Sequence, residues 1–408
     1  MSAVPRGHGD PSGRRPVIHP EPLEIAIGQM LESAGEAERA PRGHVALGVL
    51  EALEAAVAPY LACPPCIVPF SGGRDSSLVL ACAARAAARQ RLPPPIPLTL
   101  RFPYASTKED SWQELVVSYL SLDDWVRVDL TDELDYVGAV AASGLDRHGV
   151  LYPPNIHIVT LCARYAEGGS VLTGDGGDSV FGAWPWSEVA NVLGGRVRLR
   201  PTHLRAFAHA VAPAGLRAEV LRRRHPLLLP WVREPWRRRA AKLIARDHAT
   251  EPRAWSARVR AIGHARAYRA SRSSAELLGR DCGVRVGAPL LDQAVLESIA
   301  RAGGRTGWGD RTQTMRSLFA HVLPSALIER RGKATFGPTF HGSESRAFAQ
   351  RWDGRSGIDP DLVDAEVLRQ AWLADEPPFT TAMLLQSAWL ASEGTPAGTI
   401  SCLGADPA

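Results

Sequence analysis

One stretch of this sequence places glycines, hydroxyl groups and a carboxylate where an apolar run changes into an Ala- and Leu-rich one. The apolar run, 67–70, predicts a buried strand, and the residues from Ser76 to about Arg89 predict a helix. The first N–H groups of a helix have no partner within it, and glycines let the backbone approach a ligand. The turn is therefore suited to bind phosphate, through Ser71, Gly72, Gly73, Asp75 and Ser76.

Asp75 is the unexpected member of this turn, because a carboxylate repels phosphate unless a cation lies between them. Mg²⁺ is commonly bound by one or two carboxylates together with phosphate oxygens. We therefore interpret the stretch as a loop for a magnesium-bound pyrophosphate. The alternative is an ordinary glycine turn in which Ser76 caps the helix. The loop is not a Walker A motif, because it lacks Gly-Lys-Ser/Thr.

A second turn, Thr173 to Ser179, contains two carboxylates and three glycines. Two carboxylates argue against a bare pyrophosphate and favour a metal or proton chemistry. Asp178 is a candidate Mg²⁺ ligand beside Asp75, and Asp175 could hold or deprotonate an attacking amine. Gly174 is a further candidate for contact with ATP or pyrophosphate. An Asp/Gly turn closed by its own side chains is the structural alternative.

The two turns together resemble the signatures of a known superfamily. Ser71 to Ser76 resembles the pyrophosphate loop of the ATP pyrophosphatases, and Val171 to Gly182 resembles the second signature of the asparagine synthetase superfamily. The resemblance implies an ATP- and Mg²⁺-dependent ligase in which Asp75 and Asp178 hold Mg²⁺. It also implies that Asp175 is the acid/base residue beside the reacting carbonyl, as in the asparagine synthetase and lasso peptide cyclase branches.

Two further stretches, Gly283 to Asp292 and Arg330 to Phe336, extend the resemblance, which covers roughly residues 45–390. Arg330 to Phe336 resembles the family segment whose lysine stabilises negative charge on the phosphates and the tetrahedral intermediate. This implies a catalytic role for Lys333, one of three lysines among 44 arginines; the alternative is an exposed surface lysine. The chain departs from the family at Ser179, where Glu is usual, and at Gly287, where Arg is usual.

The elements that position these residues alternate between strand and helix. Strands are predicted at 67–70, 98–102, 125–130 and 170–173, and helices at 76–89, 109–122, 132–143 and 155–166. This order predicts an α/β fold with a parallel sheet flanked by helices and a ligand site at the carboxyl ends of the strands. The resemblance implies an adenine nucleotide alpha hydrolase-like fold. Further helices are predicted at 22–38, 45–58, 293–301, 312–321 and 324–328.

We expect four regions along the chain. Residues 1–44 form an N-terminal tail and helix, and 45–195 form the ATP-binding α/β core. Residues 196–392 form a helical synthetase part that completes the active site, and 393–408 form a loose tail. Region 195–272 is dense in Arg and Trp. It could be a cationic wall for an acidic peptide or RNA, but in an Arg-rich chain we favour solvated helix faces.

Composition bounds the class of protein. The chain has 408 residues, a net charge of +4, and no apolar run long enough to span a membrane. Its N-terminus does not resemble a secretory signal. The six cysteines, including Cys63 and Cys66, fit reduced and mostly buried thiols better than zinc ligands. We expect a cytoplasmic protein, and the charge alone does not predict a nucleic-acid partner.

These patterns lead to an AMP-forming, amide-bond-forming ligase with ATP and Mg²⁺. Our first hypothesis is a lasso peptide cyclase, which joins a peptide's amine to an Asp or Glu side chain, with a leader-peptide-binding or protease partner. The second is asparagine synthetase-type amidation. No glutaminase domain or N-terminal Cys precedes the first motif, so we expect the amine to come from solution, from a partner protein or from the substrate itself. A tRNA-modifying ATP pyrophosphatase is the third hypothesis, and a nucleotide-binding scaffold is the fourth.

Overall fold

The computed structural model describes residues 16–32, 47–182, 184–332 and 334–393. Within this part of the chain, five strands form one parallel sheet. The strands are β1 (Cys66–Pro69), β2 (Ile96–Arg101), β3 (Val126–Asp129), β4 (Ser170–Leu172) and β5 (Arg285–Gly287).

The α-helices of the described part flank the sheet and make up most of the C-terminal half. They are α1 (Pro22–Ile27), α2 (Val49–Leu61), α3 (Arg74–Gln90), α4 (Asp110–Leu120), α5 (Ala139–His148), α6 (Ile158–Ala163), α7 (Gly177–Phe181), α8 (Ser187–Leu193), α9 (Leu204–Val211), α10 (Ala214–Arg224), α11 (Glu234–Thr250), α12 (Trp255–Ile262), α13 (Arg266–Asp281), α14 (Gln293–Gly303), α15 (Arg311–Phe319), α16 (Ser325–Glu329), α17 (Ser343–Arg351), α18 (Ala365–Leu373) and α19 (Ala382–Glu393). None of them is long and apolar enough to cross a bilayer.

The order of the strands determines where a ligand can bind. Across the sheet the order is β3-β2-β1-β4-β5, and Ile67 of β1 pairs with Ile96 on one side and Val171 on the other. The chain winds outward in one direction from β1 to β3 and in the other from β4 to β5. Between β1 and β4 the connections diverge, which leaves a crevice at the carboxyl ends of these two strands.

Alternate residues of the central strands face two different apolar layers. Val68 and Leu172 pack with α2 and α3 on one face, while Ile67 and Val171 pack with α6 and α13 on the other. All four side chains are almost fully buried. A strand that is buried on both faces has a continuous apolar run as its sequence, which is why 67–70 and 170–173 could be predicted.

The fold class is confirmed, but three local expectations are wrong. Helix α3 begins at Arg74 rather than Ser76, with Gly73 as its N-cap, and the Ser76 hydroxyl donates to the Gly73 carbonyl instead of capping. The helix expected at 132–143 begins only at Ala139. Strand β5 was not predicted, because three residues of an edge strand give too short a pattern. The division of the chain into domains stays a prediction.

The ends of the chain are only partly described. Helix α1 ends at Ile27 because Gly28 adopts a left-handed conformation (φ 74°) against the backbone of Thr380. The predicted continuation to residue 38 overlaps 33–46, which lies outside the described residues, as does the tail from 394 on. The cysteines at 63, 66, 82, 162 and 282 form no disulfide within the described part, and Cys402 lies outside it. Burial raises the pKa of the Cys66 thiol to about 11.

A second core joins the C-terminal helices to the segment that follows β3. Its centre holds Trp372, fully buried, with its ring 4.8 Å from that of Trp352. At its edge the buried carboxylate of Asp135 accepts hydrogen bonds from the Ser345 hydroxyl (2.6 Å), the Ser345 N–H (3.0 Å) and the Val137 N–H (2.9 Å). Asp135 therefore holds the start of α17 against the segment that follows β3.

The buried carboxylate at Asp135 leads to a stability prediction. Replacing it by Ala leaves three donors without their acceptor, so Asp135→Ala should lower the free energy of unfolding by about 2–4 kcal/mol. The matched control is Asp132→Ala in the same loop as Asp135. It removes a less buried carboxylate that accepts hydrogen bonds from the N–H and hydroxyl of Ser343. This variant should lower the free energy of unfolding by about 1 kcal/mol or less. Urea unfolding of both variants measures the difference, and equal losses would contradict the assignment.

Candidate active site

The loop after β1 holds its hydroxyl groups around the start of α3. Gly72 adopts a left-handed conformation (φ 77°) beneath Gln113, which places the next residue, Gly73, at the helix N-cap. The Gly73 N–H donates to Ser71 Oγ at 3.3 Å, and Ser71 Oγ lies 3.3 Å from Ser76 Oγ. Hydroxyls and helix N–H groups thus converge on one spot, as an anion site requires.

The loop after β4 lies directly against the first loop, and its glycines make this possible. A Cβ on Gly174 would come within 3.0 Å of the Ser76 backbone nitrogen, and one on Gly177 would overlap the Asp75 carboxyl group at 2.2 Å. The turn also needs a left-handed residue at Gly176 (φ 90°). The Gly-Asp-Gly-Gly pattern is therefore required for the close approach of two backbones.

The residues proposed for magnesium, Asp75 and Asp178, meet at one guanidinium group. Arg311 Nη2 donates to both Asp75 carboxylate oxygens, at 2.6 and 2.7 Å, and Arg311 Nη1 donates to Asp178 Oδ1. Burial opposes the charge on Arg311, but attraction to the two carboxylates raises its pKa. Its buried Nε finds no acceptor among the described residues. Sequence reasoning missed Arg311, because arginine is too common in this chain to be noticed.

The two carboxylates fit a magnesium ion that is bound together with phosphate. Since Asp75 and Asp178 both contact one guanidinium, they are close enough to share one cation. The described part of the chain contains no cluster of three or more His, Cys, Asp or Glu side chains that could hold a metal. Mg²⁺ commonly takes one or two carboxylates and completes its shell with phosphates and water. The donor set fits this kind of site and not a cage built by protein alone.

Asp175 lies on the same turn but in a different environment. Its side chain is exposed to solvent, although many protein atoms lie around the carboxyl group. Nearby protein atoms displace part of the water that would stabilise the negative charge. Desolvation raises the pKa of Asp175, and the Ser271 hydroxyl on α13, which donates at 3.4 Å, acts in the opposite direction.

Neighbouring tyrosines account for the residues at 179 and 287, the two positions at which the chain departs from the family pattern. The Ser179 hydroxyl is hydrogen-bonded to the Tyr268 hydroxyl, which reaches from α13 to support the turn that carries Asp178. At Gly287 the ring of Tyr60 fills the space beside the backbone, and a Cβ would lie 2.3 Å from its Cζ. An arginine side chain at 287 therefore has no room unless the Tyr60 ring moves.

Lys333 lies outside the described residues, but its neighbours are fixed at the first loop. Arg330 donates to both oxygens of Glu109, at 2.6 and 2.8 Å, and to the Gly72 carbonyl at 3.0 Å. The Ala334 N–H also donates to Glu109, at 2.9 Å. The ion pair is almost fully buried, and Arg330 stacks over Trp112. Sequence reasoning missed Glu109, since a single Glu at a helix start carries no motif.

Arg74 also links the first loop to the residues that follow Arg311 and to Arg330. Its guanidinium donates to the Thr312 hydroxyl and to the Arg330 carbonyl, each at 3.1 Å. Burial and the charge of Arg311 lower the pKa of Arg74, while Asp75 raises it. Three guanidinium groups thus surround the first loop. This arrangement can bind a polyanion in spite of the two carboxylates.

The buried pair leads to a second prediction. Truncating Arg330 leaves the buried charge of Glu109 without its partner, so Arg330→Ala should destabilise the fold by about 3–5 kcal/mol. The control is Arg316→Ala, which breaks the exposed pair with Glu329 and should cost about 1 kcal/mol or less. Thermal or urea unfolding measures both, and a small loss for Arg330→Ala would contradict the role given to the pair.

Comparison with known proteins agrees with the geometry. Comparison with curated proteins gave no match. A family model described as asparagine synthase matches residues 48–390, far more than half of the chain, and this range contains both loops, Arg311 and Arg330. The resemblance carried by the motifs is thereby confirmed. The chain belongs to the asparagine synthase family, whose members are ATP-dependent carbon–nitrogen ligases.

Proposed function

We propose that this protein is an AMP-forming ligase that activates a peptide carboxylate and closes an amide bond. The observation that carries the proposal is the meeting of Asp75 and Asp178, from two loops, at the switch point of the sheet. In the first step a carboxylate oxygen attacks the α-phosphorus of ATP, and the bond to the β-phosphate breaks. In the second, an amine nitrogen attacks the acyl carbon and AMP leaves.

The first loop binds the triphosphate. The hydroxyls of Ser71 and Ser76 and the N–H groups that follow Gly72 and Gly73 face the pyrophosphate, and the Gly174 backbone, which lies against the backbone of Ser76, contacts it from the second loop. Asp75 and Asp178 would hold Mg²⁺, which offsets phosphate charge when bound. Arg311 then turns from the carboxylates toward phosphate oxygens, to which a guanidinium binds as readily as to carboxylate.

Asp175 orients the amine and accepts its proton. A raised pKa suits this task, because a general base works best when its pKa approaches the pH at which the enzyme operates. Lys333 stabilises the negative charge on the acyl oxygen and phosphates as a compact point charge. The anchoring of Arg330 and Ala334 to Glu109 supports this role, since it holds the ends of the lysine segment beside the loop.

The surroundings of Gly287 support a proposal about the acyl substrate. An asparagine synthetase would use an arginine here, and the Tyr60 ring takes up that space. This supports a substrate other than free aspartate. We propose lasso peptide macrolactam formation, in which the amine and the carboxylate belong to one peptide and a partner binds the leader peptide or removes it.

Asparagine synthetase-type amidation, with ammonia from a partner, is the second candidate, because Asp175 is the residue of that branch too. A tRNA-modifying pyrophosphatase is disfavoured by the second turn. A scaffold that only binds nucleotide is disfavoured because the chain keeps Asp75, Asp175, Asp178 and Lys333. We also propose a cytoplasmic location, because the described cysteines are free thiols and most of them are buried.

ATP–pyrophosphate exchange with Mg²⁺ tests the proposed function. We expect no exchange above background with free aspartate, and exchange with a peptide that carries an N-terminal amine and an internal Asp or Glu. Asp75→Asn should lower the rate by roughly 100-fold or more, because a charge-stabilising group is lost. Asp353→Asn, at an exposed aspartate, is the control. Exchange with aspartate alone would favour the asparagine synthetase alternative and contradict the peptide cyclase.

The environment of Asp175 predicts a pH effect. A base must be ionised, so the rate should fall as the pH drops below the raised pKa of Asp175. Ser271→Ala removes a hydrogen bond that lowers this pKa, and should therefore move the acidic limb of the kcat profile to higher pH, by less than about one unit. The control is Ser273→Ala on the same helix, whose hydroxyl donates to Ala270 instead. Identical profiles for both variants would contradict Asp175 as the base.

A further inference from the structure

One segment of the chain concentrates positive charge. Residues 193–228, which we call the basic–apolar segment, contain eight arginines and one glutamate, whereas the whole chain has a net charge of only +4. The remainder of the chain is therefore net acidic. General arginine enrichment does not account for this distribution, because enrichment alone would spread the positive charge along the sequence.

The same segment exposes aliphatic side chains. Eleven large hydrophobic residues of the described part are exposed, and seven of these lie within 193–228. Leu228, Val211 and Leu193 are 82%, 76% and 69% exposed. Single exposed leucines are normal, but a group of them in about a tenth of the described chain marks an interaction surface. Solvated helix faces, which the sequence favoured for region 195–272, do not require them.

The first part of the segment has the pattern of a strand. Residues 193–200 are all exposed, and Arg196 to Arg200 alternate between arginine and an aliphatic residue. Arg200 has an extended backbone (φ −129°, ψ 156°). The backbone bends at 196–197, where both N–H groups donate to the Asn191 carbonyl, so the part that lies outside turns and helices is 198–200. Such a stretch can bind an extended peptide through main-chain hydrogen bonds and both kinds of side chain.

The segment is attached to both sides of the active site. Arg196 donates to the carbonyls of Thr306 and Gly307, at 2.8 and 3.0 Å, in the loop that leads to Arg311. Helices α9 and α10 rest on Trp186, whose ring stacks on His209 at 5.5 Å and lies under Arg217. Trp186 follows closely after α7, which carries Asp178. The segment is thus attached to the loop that precedes Arg311 and to the residues that follow α7, the two elements that carry Arg311 and Asp178.

The chemistry of the surface selects its partner. Stacking of bases on exposed aromatic rings usually supports RNA binding. The segment contains one Phe, Tyr or Trp side chain, the half-buried Phe207, and the neighbouring Trp184 and Trp186 are at most 5% exposed. A second copy would bring one arginine cluster against another. Within the segment Arg222 and Arg223 pair with Glu219, as Arg237 and Arg238 of α11 pair with Glu234. Arg217 is buried and Arg196 donates to neighbouring loops, so the charge offered to a partner comes mainly from Arg198, Arg200, Arg205 and Arg224. These contrasts leave a partner that is both acidic and aliphatic.

We propose that the basic–apolar segment is the docking surface for an acidic peptide segment that carries aliphatic side chains. Delivery of that peptide to the ATP site rests on the proposed function, whereas the binding itself does not. Arginines pair with the carboxylates of the peptide, and the exposed leucines and valines are covered by its aliphatic residues. The peptide lies close to Arg311 and Asp178, where a carboxylate at its end or side chain meets ATP.

The test uses the full chain and a fluorescein-labelled peptide of alternating Glu and Leu, followed by fluorescence anisotropy without nucleotide. We expect saturable binding that weakens with added salt, since the attraction is partly between charges. The variant Arg198→Ser/Leu199→Ser/Arg200→Ser should bind roughly tenfold or more weakly, as expected when a docking surface loses its central residues. The matched control, Arg164→Ser/Arg355→Ser/Leu373→Ser, removes the same residue types elsewhere and should bind as the parent does.

Several outcomes would overturn the proposal. These are equal loss of binding in both triple variants, equal binding of a Lys/Leu peptide, and no peptide binding. The proposal also fails if the Glu/Leu peptide does not bind but a different partner binds through residues 198–200. The partners tested are an oligouridine, phosphatidylglycerol vesicles and a second copy of the chain. Thermal unfolding of each variant confirms that it is folded. Peptide binding together with aspartate-driven exchange would uphold the docking surface while refuting the proposed cyclase.

Discussion

The site depends on the repulsion between two carboxylates that the fold holds close together. Asp75 and Asp178 come from different loops, and neither loop could approach the other if their charges were not offset. Arg311 provides that offset through three hydrogen bonds. The same pair of carboxylates that needs a cation also fits a phosphate-bound metal. The charges that hold the two loops together are therefore those that we propose to bind the ligand.

Around these two carboxylates, arginines hold the loops in place and glycines allow the two loops to lie close together. Arg330 and Arg74 each join the first loop to the region after Arg311, and Gly174 and Gly177 remove the side chains that would keep the loops apart. The parallel sheet contributes by bringing two strand ends to one crevice. The role proposed for Asp175 uses the same closeness, because neighbouring protein atoms displace part of the water around its carboxyl group.

Much of the fold and part of the site could be predicted from the sequence. The strands on each side of the crevice are apolar runs followed by glycine turns, and both features are local. Arg311, Glu109 and Ser271 could not be predicted, because each acts through a partner far away in the chain. Their residue types are common at helix starts and on helix faces, so no spacing distinguishes them. Strand β5 was missed because its three residues form a strand only beside β4.

The Arg330–Glu109 contact also has a consequence for how the chain assembles. The first loop is made early in synthesis, at residues 71–76, yet the groups that complete it lie beyond residue 310. A nascent chain that ends before α15 holds Asp75 without Arg311 and Glu109 without Arg330. The first loop is therefore among the last parts to become stable, although four of the five strands of its sheet lie before residue 173. Premature termination would leave a sheet without a working loop.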